Sequence, residues 1–262
     1  MQCRVCLRLV LGSLYANLLR MSEILHDKLP YRLDTKRNLP AVTALDPDNV
    51  LIKDHTYADQ MAERERLIND FEQDVICLEP KTLFAAQELL DFVLNFLPRL
   101  GGFIKTADHI ICPDGRQVVI SYTNPLASIG RLVQNDFCLL IKKDEEHILS
   151  GAILCFPASW SLEEQFLRPL SIIHTPIAAY DSNVARRVQR LFDGVKLNRP
   201  IWRHNELYYD KPDLYQPRKT TNRRPKLKEA DRRFLRSERQ VIFRLPRSNA
   251  VIFSIHTHVL KL

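Results

Sequence analysis

Apolar residues at 83, 86, 89, 90, 93, 94 and 97 recur with the period of a half-buried helix. They predict a helix over Leu83–Leu97, opened by Thr82 as N-cap and closed by Pro98. An earlier stretch, Tyr57–Asn69, predicts a second helix with Glu/Arg pairs on its outer face. From Asp108 onward the period shortens to two. His109–Cys112 and Gln117–Tyr122 read as a hairpin around the turn PDGR. Asp136–Lys142 and His147–Phe156 read as a second strand pair joined by KKDEE, and Ile201–Tyr209 as one strand. Arg239–Leu245 and Ala250–Thr257 form a third pair, with PRSN as the turn. Between these runs the pattern predicts helices over Pro125–Val133, capped by Asn124, over Asp181–Lys196, and over Lys228–Leu235. The expected architecture is α+β, an antiparallel sheet of about five or more strands with helices flanking it.

Residues 22–56 are rich in Pro and Asp and read as mostly irregular, with a turn at Asp46–Asn49. Residues 1–20 are apolar, carry Arg4, Arg8 and Arg20 and hold no acid. They read either as a targeting segment of mitochondrial type or as a non-native extension ahead of Met21. The uncharged run Leu9–Leu19 is too short to cross a bilayer. Residues 21–262 are read as a single domain, with the cytoplasm as the expected compartment and mitochondria as the alternative.

Composition narrows the chemistry. With 7 glycines in 262 residues, neither GxGxxG nor GxxxxGK[ST] can be found, which argues against dinucleotide and P-loop folds. The net charge of +7 is local: Arg199–Gln240 holds 13 basic and 6 acidic residues, so the remainder is balanced. The basic segment 216–239 has only Phe234 as an aromatic residue for base stacking, which argues against a nucleic-acid partner. Cys77, Cys138 and Cys155 lie in apolar runs and read as buried free thiols, and no G-x-S-x-G is present, so a hydrolase is not expected.

The stretch Cys155–Tyr180 carries the most suggestive chemistry. It leaves an apolar strand at a Pro, holds Trp160, and sets His174 between Ile172, Ile173 and Pro176. A stiffly held imidazole in an apolar setting suits an axial metal or haem ligand, although most such histidines are packed core residues. Arg131, Arg168 and Arg239 are candidate partners for carboxylates.

Five segments in order resemble one family, the haem-dependent oxidative N-demethylases. RLVQNDFCLLIK (131–142) is similar to the family's RLVQEDLCLL, and CFPASW (155–160) to its CFPSxW. RPLSIIHTPIAAY (168–180) is similar to RPLxxIHxPVPxY, and PIWRHN (200–205) to PVxRxN. LRSERQVIFRLPRSNAVIFSIHT (235–257) is similar to LRVERQTLxRLPxxxAVxFxIRT. The resemblance implies a PAS-like sheet holding haem b. It implies O₂-dependent oxidation of an N-methyl group on a small secondary amine, with formaldehyde released. Electrons would come from a reductase partner, ultimately from NADPH. It also implies His174 as the iron ligand, and Arg131, Arg168, Arg239 and Trp160 as haem contacts. Gln134, Asp136 and Glu238 become candidate catalytic groups, with Gln240 beside them. The alternative is a PAS-type haem or small-ligand sensor without turnover. This chain departs from the motifs at Gln165, Ala178, Ala179, Glu206 and His256.

Overall fold

The molecule is described from a computed structural model, over residues 23–33, 41–173, 182–222 and 224–262. In chain order the strands are β1 (Thr43–Ala44), β2 (Ile76–Leu78), β3 (Ile104–Lys105), β4 (His109–Ile111), β5 (Gln117–Val119), β6 (Asp136–Lys143) and β7 (Glu146–Ile153). They continue with β8 (Ile201–His204), β9 (Leu207–Tyr209), β10 (Phe234–Arg244) and β11 (Val251–Lys261). The α-helices are α1 (Tyr57–Asp70), α2 (Glu72–Val75), α3 (Leu83–Leu100), α4 (Pro125–Leu132), α5 (Leu162–Gln165), α6 (Leu170–Ile173) and α7 (Ser182–Gly194).

An open antiparallel sheet runs β1-β8-β10-β11-β6-β7-β2, with β9 also on β10, and β3-β4-β5 forms a small second sheet. The α+β expectation therefore holds. Side chains alternate between the faces of each strand, so the register sorts them. Val241, Phe243, Ile252, Phe137, Leu139 and Ile153 share one face, the inner one, and pack with α1, α3 and α4. Cys138, Leu140, Ala152 and Ile242 lie on the outer face, covered by residues 157–173 and α7 through Leu162, Leu170, Phe192 and Val195. Contact between α4 and the sheet is close at Gly130, where a Cβ would come within 2.8 Å of Ile68 and 2.9 Å of Ile153. Among the described residues no helix is long and apolar enough to cross a membrane.

Several local expectations change. The helix expected over Lys228–Leu235 is only a 3₁₀ turn at Glu229–Asp231, and β10 already starts at Phe234. Arg236 explains why the strand was expected only from Arg239. It is buried, with its guanidinium donating to the carbonyls of Leu214 and Phe156, so a charged residue occupies a core position of the strand. The α3 helix runs past Pro98 to Leu100, because a proline so near the C-terminus forfeits little of the hydrogen-bond ladder. Thr82 stands at the N-cap position, but its hydroxyl donates to the carbonyls of Glu79 and Ser150, and Asn124 likewise makes no side-chain cap. The single strand expected at Ile201–Tyr209 is split into β8 and β9, and Cys77 is half-buried. Strands β1, β2 and β3, two or three residues each, carry too little pattern to be read in advance.

Candidate functional site

Two polar centres lie on opposite faces of β10 and β11, built from alternating residues of the same strands. On the inner face the cross-strand pairs are Arg239 with His256 and Ser237 with His258. On the outer face Glu238 stands opposite Thr257, and Gln240 opposite both Ile255 and Arg203 of β8.

The inner centre forms around Asp54, just ahead of α1. Its Oδ1 accepts from the Thr56 backbone N–H (2.9 Å), the Thr56 hydroxyl (2.7 Å) and Gln134 Nε2 (2.9 Å). Its Oδ2 accepts from His26 Nε2 (2.9 Å) and His256 Nε2 (2.8 Å). His26 reaches this place because residues 26 and 259 pair through the backbone, alongside β11 where β6 has ended. The Val259 N–H donates to His26 Nδ1 at 3.2 Å, which leaves the proton of the neutral ring on Nε2. His258 completes the group, its ring 4.8 Å from those of His26 and His256. It is 1% exposed, and neither nitrogen has a hydrogen-bond partner among the described residues; Nε2 stops 3.9 Å from Asp54 Oδ2. Leaving such a group unsatisfied costs on the order of 1–3 kcal/mol.

Electrostatics follow the geometry. Burial alone would raise the Asp54 carboxyl, but hydrogen bonds from His256 and His26 outweigh it and hold the group well below the usual carboxylate range. Burial pushes His258 down to about 2 and lowers His256, so both rings are neutral. Arg239 donates to the carbonyls of Asn49 and Val50 beside the Trp202 ring, and desolvation lowers its guanidinium to about 10. Tyr31 stacks on His204 and hydrogen-bonds Ser237.

The outer centre is cation-rich. Glu238 Oε2 accepts from Asn205 Nδ2 (2.7 Å) and Gln240 Nε2 (3.0 Å), while Arg236 lies 3.5 Å from Oε1. Arg203 is half-buried, its Nε has no hydrogen-bond partner among the described residues, and desolvation lowers its pKa against the pull of Glu238. The Thr257 hydroxyl is also buried without a partner among them. Next to these groups the face turns aliphatic, through Cys138, Leu140 and Ile242. The Arg203 Nε and the Thr257 hydroxyl leave donors for a ligand that carries carboxylates, and haem is such a ligand, while the aliphatic residues beside them are packed under residues 157–173 and α7.

The residues singled out from the sequence do not converge on one point. Gln134 and Arg239 belong to the inner centre, and Glu238 and Gln240 to the outer. Trp160 packs into the apolar cluster of the outer face. Asp136 is taken up by the fold: its carboxylate accepts from Arg64 (2.6 Å) and from the backbone N–H groups of Cys155 and Phe156. Arg131 pairs with Glu65 and Asn69, and Arg168 is exposed. His174, Ala178 and Ala179 lie outside the described residues. Burial pushes the Cys77 and Cys155 thiols up to about 12 and raises Cys138, so none is a ready thiolate. A surface cleft of about 540 Å³ between α7 and β8, lined by Arg190, Lys196 and Arg199 among others, shares no residue with either centre.

Sequence reasoning missed His26, Asp54, His258 and Arg203 as functional residues. One local signal was present: His256 and His258, two apart on a strand, must share a face. Nothing local announces His26 or Asp54, which the fold brings in from 202 to 233 positions away. In comparison with known families, the model described as haem-dependent oxidative N-demethylase, alpha subunit-like, matches residues 41–262.

Proposed function

The chain belongs to the haem-dependent oxidative N-demethylase, alpha subunit-like family. From that premise we propose that it binds haem b on the outer face of a PAS-like sheet and oxidises an N-methyl group of a small secondary amine such as dimethylamine. The family match over residues 41–262 carries this reading. The Arg203 Nε and Thr257 hydroxyl, without hydrogen-bond partners among the described residues, support it as donors for a carboxylate.

In this reading His174 would ligate the iron, and Arg203, Arg168 and Trp160 would contact the rest of the group. Arg203 is preferred to Arg239 for pairing a propionate, because backbone carbonyls already occupy the Arg239 guanidinium. Bound haem supplies O₂ activation with two electrons delivered by a reductase partner, NADPH being the ultimate donor. Formaldehyde, the demethylated amine and water leave. The chain's own part is recognition and access. A secondary amine is cationic at neutral pH, and Glu238, oriented by Asn205 and Gln240, offers the carboxylate to receive it.

Haem titration tests the reading first. A Soret band should grow to one equivalent, and His174→Ala should shift or abolish it. An unchanged spectrum in that variant would remove His174 as ligand, and no band at all would remove the proposal. Reduced holoprotein supplied with dimethylamine and O₂ should release formaldehyde. Stable haem binding without any release on a panel of small secondary amines would instead assign the chain to a sensor.

A further inference from the structure

We propose that the inner centre is a second metal site, distinct from the haem surface: Asp54, His256 and His258 hold one divalent first-row transition ion, and His26 steadies Asp54 from outside. Ligand atoms of His26, Asp54, His256 and His258 all lie within 4.8 Å of one another. One carboxylate and two imidazoles form a donor set suited to zinc or ferrous iron, and three protein ligands leave a position for water.

Two observations separate this reading from an ordinary hydrogen-bonded cluster. His258 is buried, both its nitrogens lack hydrogen-bond partners among the described residues, and Nε2 lies 3.9 Å from the Asp54 oxygen that His26 and His256 already share. A cluster assembled for hydrogen bonding alone would have no use for this third ring. The division of Asp54's two oxygens is the other observation. Oδ1 is saturated by Thr56 and Gln134, which fixes the plane of the carboxylate, and Oδ2 is turned toward the rings. Such outer hydrogen bonds orient a ligating carboxylate.

The ligands differ in role. His256 Nε2 donates its proton to Asp54 in the metal-free arrangement, so ligation through Nε2 moves that proton to Nδ1, which has no hydrogen-bond partner among the described residues. His26 is excluded from the inner set by the Val259 N–H on its Nδ1, because ligation through Nε2 would place a second proton against that donor. It remains a hydrogen-bond donor to Asp54. Arg239, the cation opposite His256 in the register, is engaged by the carbonyls of Asn49 and Val50. A bound ion would join three chain segments: the strand end at 256–258, the turn before α1, and through His26 the stretch beside β11.

The test uses the full chain, stripped with chelator and free of haem, so that its outcome is independent of the haem reading. Zn²⁺ should bind at one equivalent and raise Tm, and Co²⁺ should give the visible d–d absorption of a low-coordinate site. His258→Phe deletes a ligand without breaking any hydrogen bond, so it should fold, lose the Zn²⁺-dependent rise in Tm and bind at least about 100-fold more weakly. His26→Gln should weaken binding by about tenfold, as an outer residue does. The proposal is overturned if Zn²⁺ leaves the wild-type Tm unchanged, or if it raises wild type and His258→Phe equally.

Discussion

The two faces of the β10–β11 pair carry opposite chemistry one residue apart. The inner centre is organised around an anion, Asp54, whose oxygens are met by five donors. The outer centre is organised around cations, Arg203 and Arg236, with Glu238 as its acid and with donor capacity left over. Strand alternation makes this possible: Glu238 and Arg239, or His256 and Thr257, are neighbours in sequence yet point into different surroundings. A motif that runs along such a strand therefore mixes two sites, and membership of the motif does not place a residue in either.

The largest effect expected from this division concerns Asp136, which the motifs group with the chemistry and the structure engages with Arg64. Asp136→Asn leaves a buried guanidinium without its counter-charge and should cost about 3–5 kcal/mol in denaturant unfolding. A variant of normal stability that has lost only turnover would return Asp136 to the site. The comparison is next tested at Arg203. Arg203→Leu should weaken haem binding about tenfold or more, the scale of one charge-assisted hydrogen bond, whereas Asp54→Asn should leave the Soret titration unchanged. Equal effects from both would dissolve the distinction between the faces.

A third measurement uses pH. His147, on β7 against α7, accepts from Gln189 and is lowered by burial, the nearby charges being Asp193, Arg244 and Lys142. The unfolded chain thus binds this proton before the folded one. The stabilising contribution is complete above pH of about 6.5 and is lost on acidification, by at most about 1.4 kcal/mol per pH unit. His147→Leu should flatten the urea midpoint against pH by that amount between pH 7 and 5, and parallel curves would refute the assignment. The smallest effect belongs to Arg244, which donates to the carbonyls of Phe192 and Val195 at the end of α7. Arg244→Ala should cost about 1–2 kcal/mol and speed amide exchange in α7 while sparing α1.

Much of the fold was legible because burial and period agree in it. Helix α3 and the pair β6–β7 present clear apolar stripes and lie near their expected places, while α1, also near its place, buries Gln60, Glu63 and Arg64 where its Glu/Arg pairs were expected outside. Where charge is buried, the reading failed. Arg236, a buried charge, hid the start of β10, so the strand was expected only from Arg239. The site was legible only in part for a related reason. Arg203 sat inside a quoted motif, but nothing in its spacing told that its Nε would lack a partner. Asp54 lies in a stretch read as irregular, and its carboxylate acquires meaning only when β11 arrives beside it.

The central position of β10 and β11 also bears on how the chain is made. They are the last strands in sequence, yet they separate β8 from β6 in the finished sheet. During synthesis β6, β7 and β2 can pair early, but β8 and β1 have no route to them until residues 234–261 have emerged. The β10–β11 hairpin is local and closes quickly, so it acts as the keystone that joins the two half-sheets. Until then both half-sheets present open edges, and the nascent chain is most prone to associate with itself just before residues 234–261 emerge.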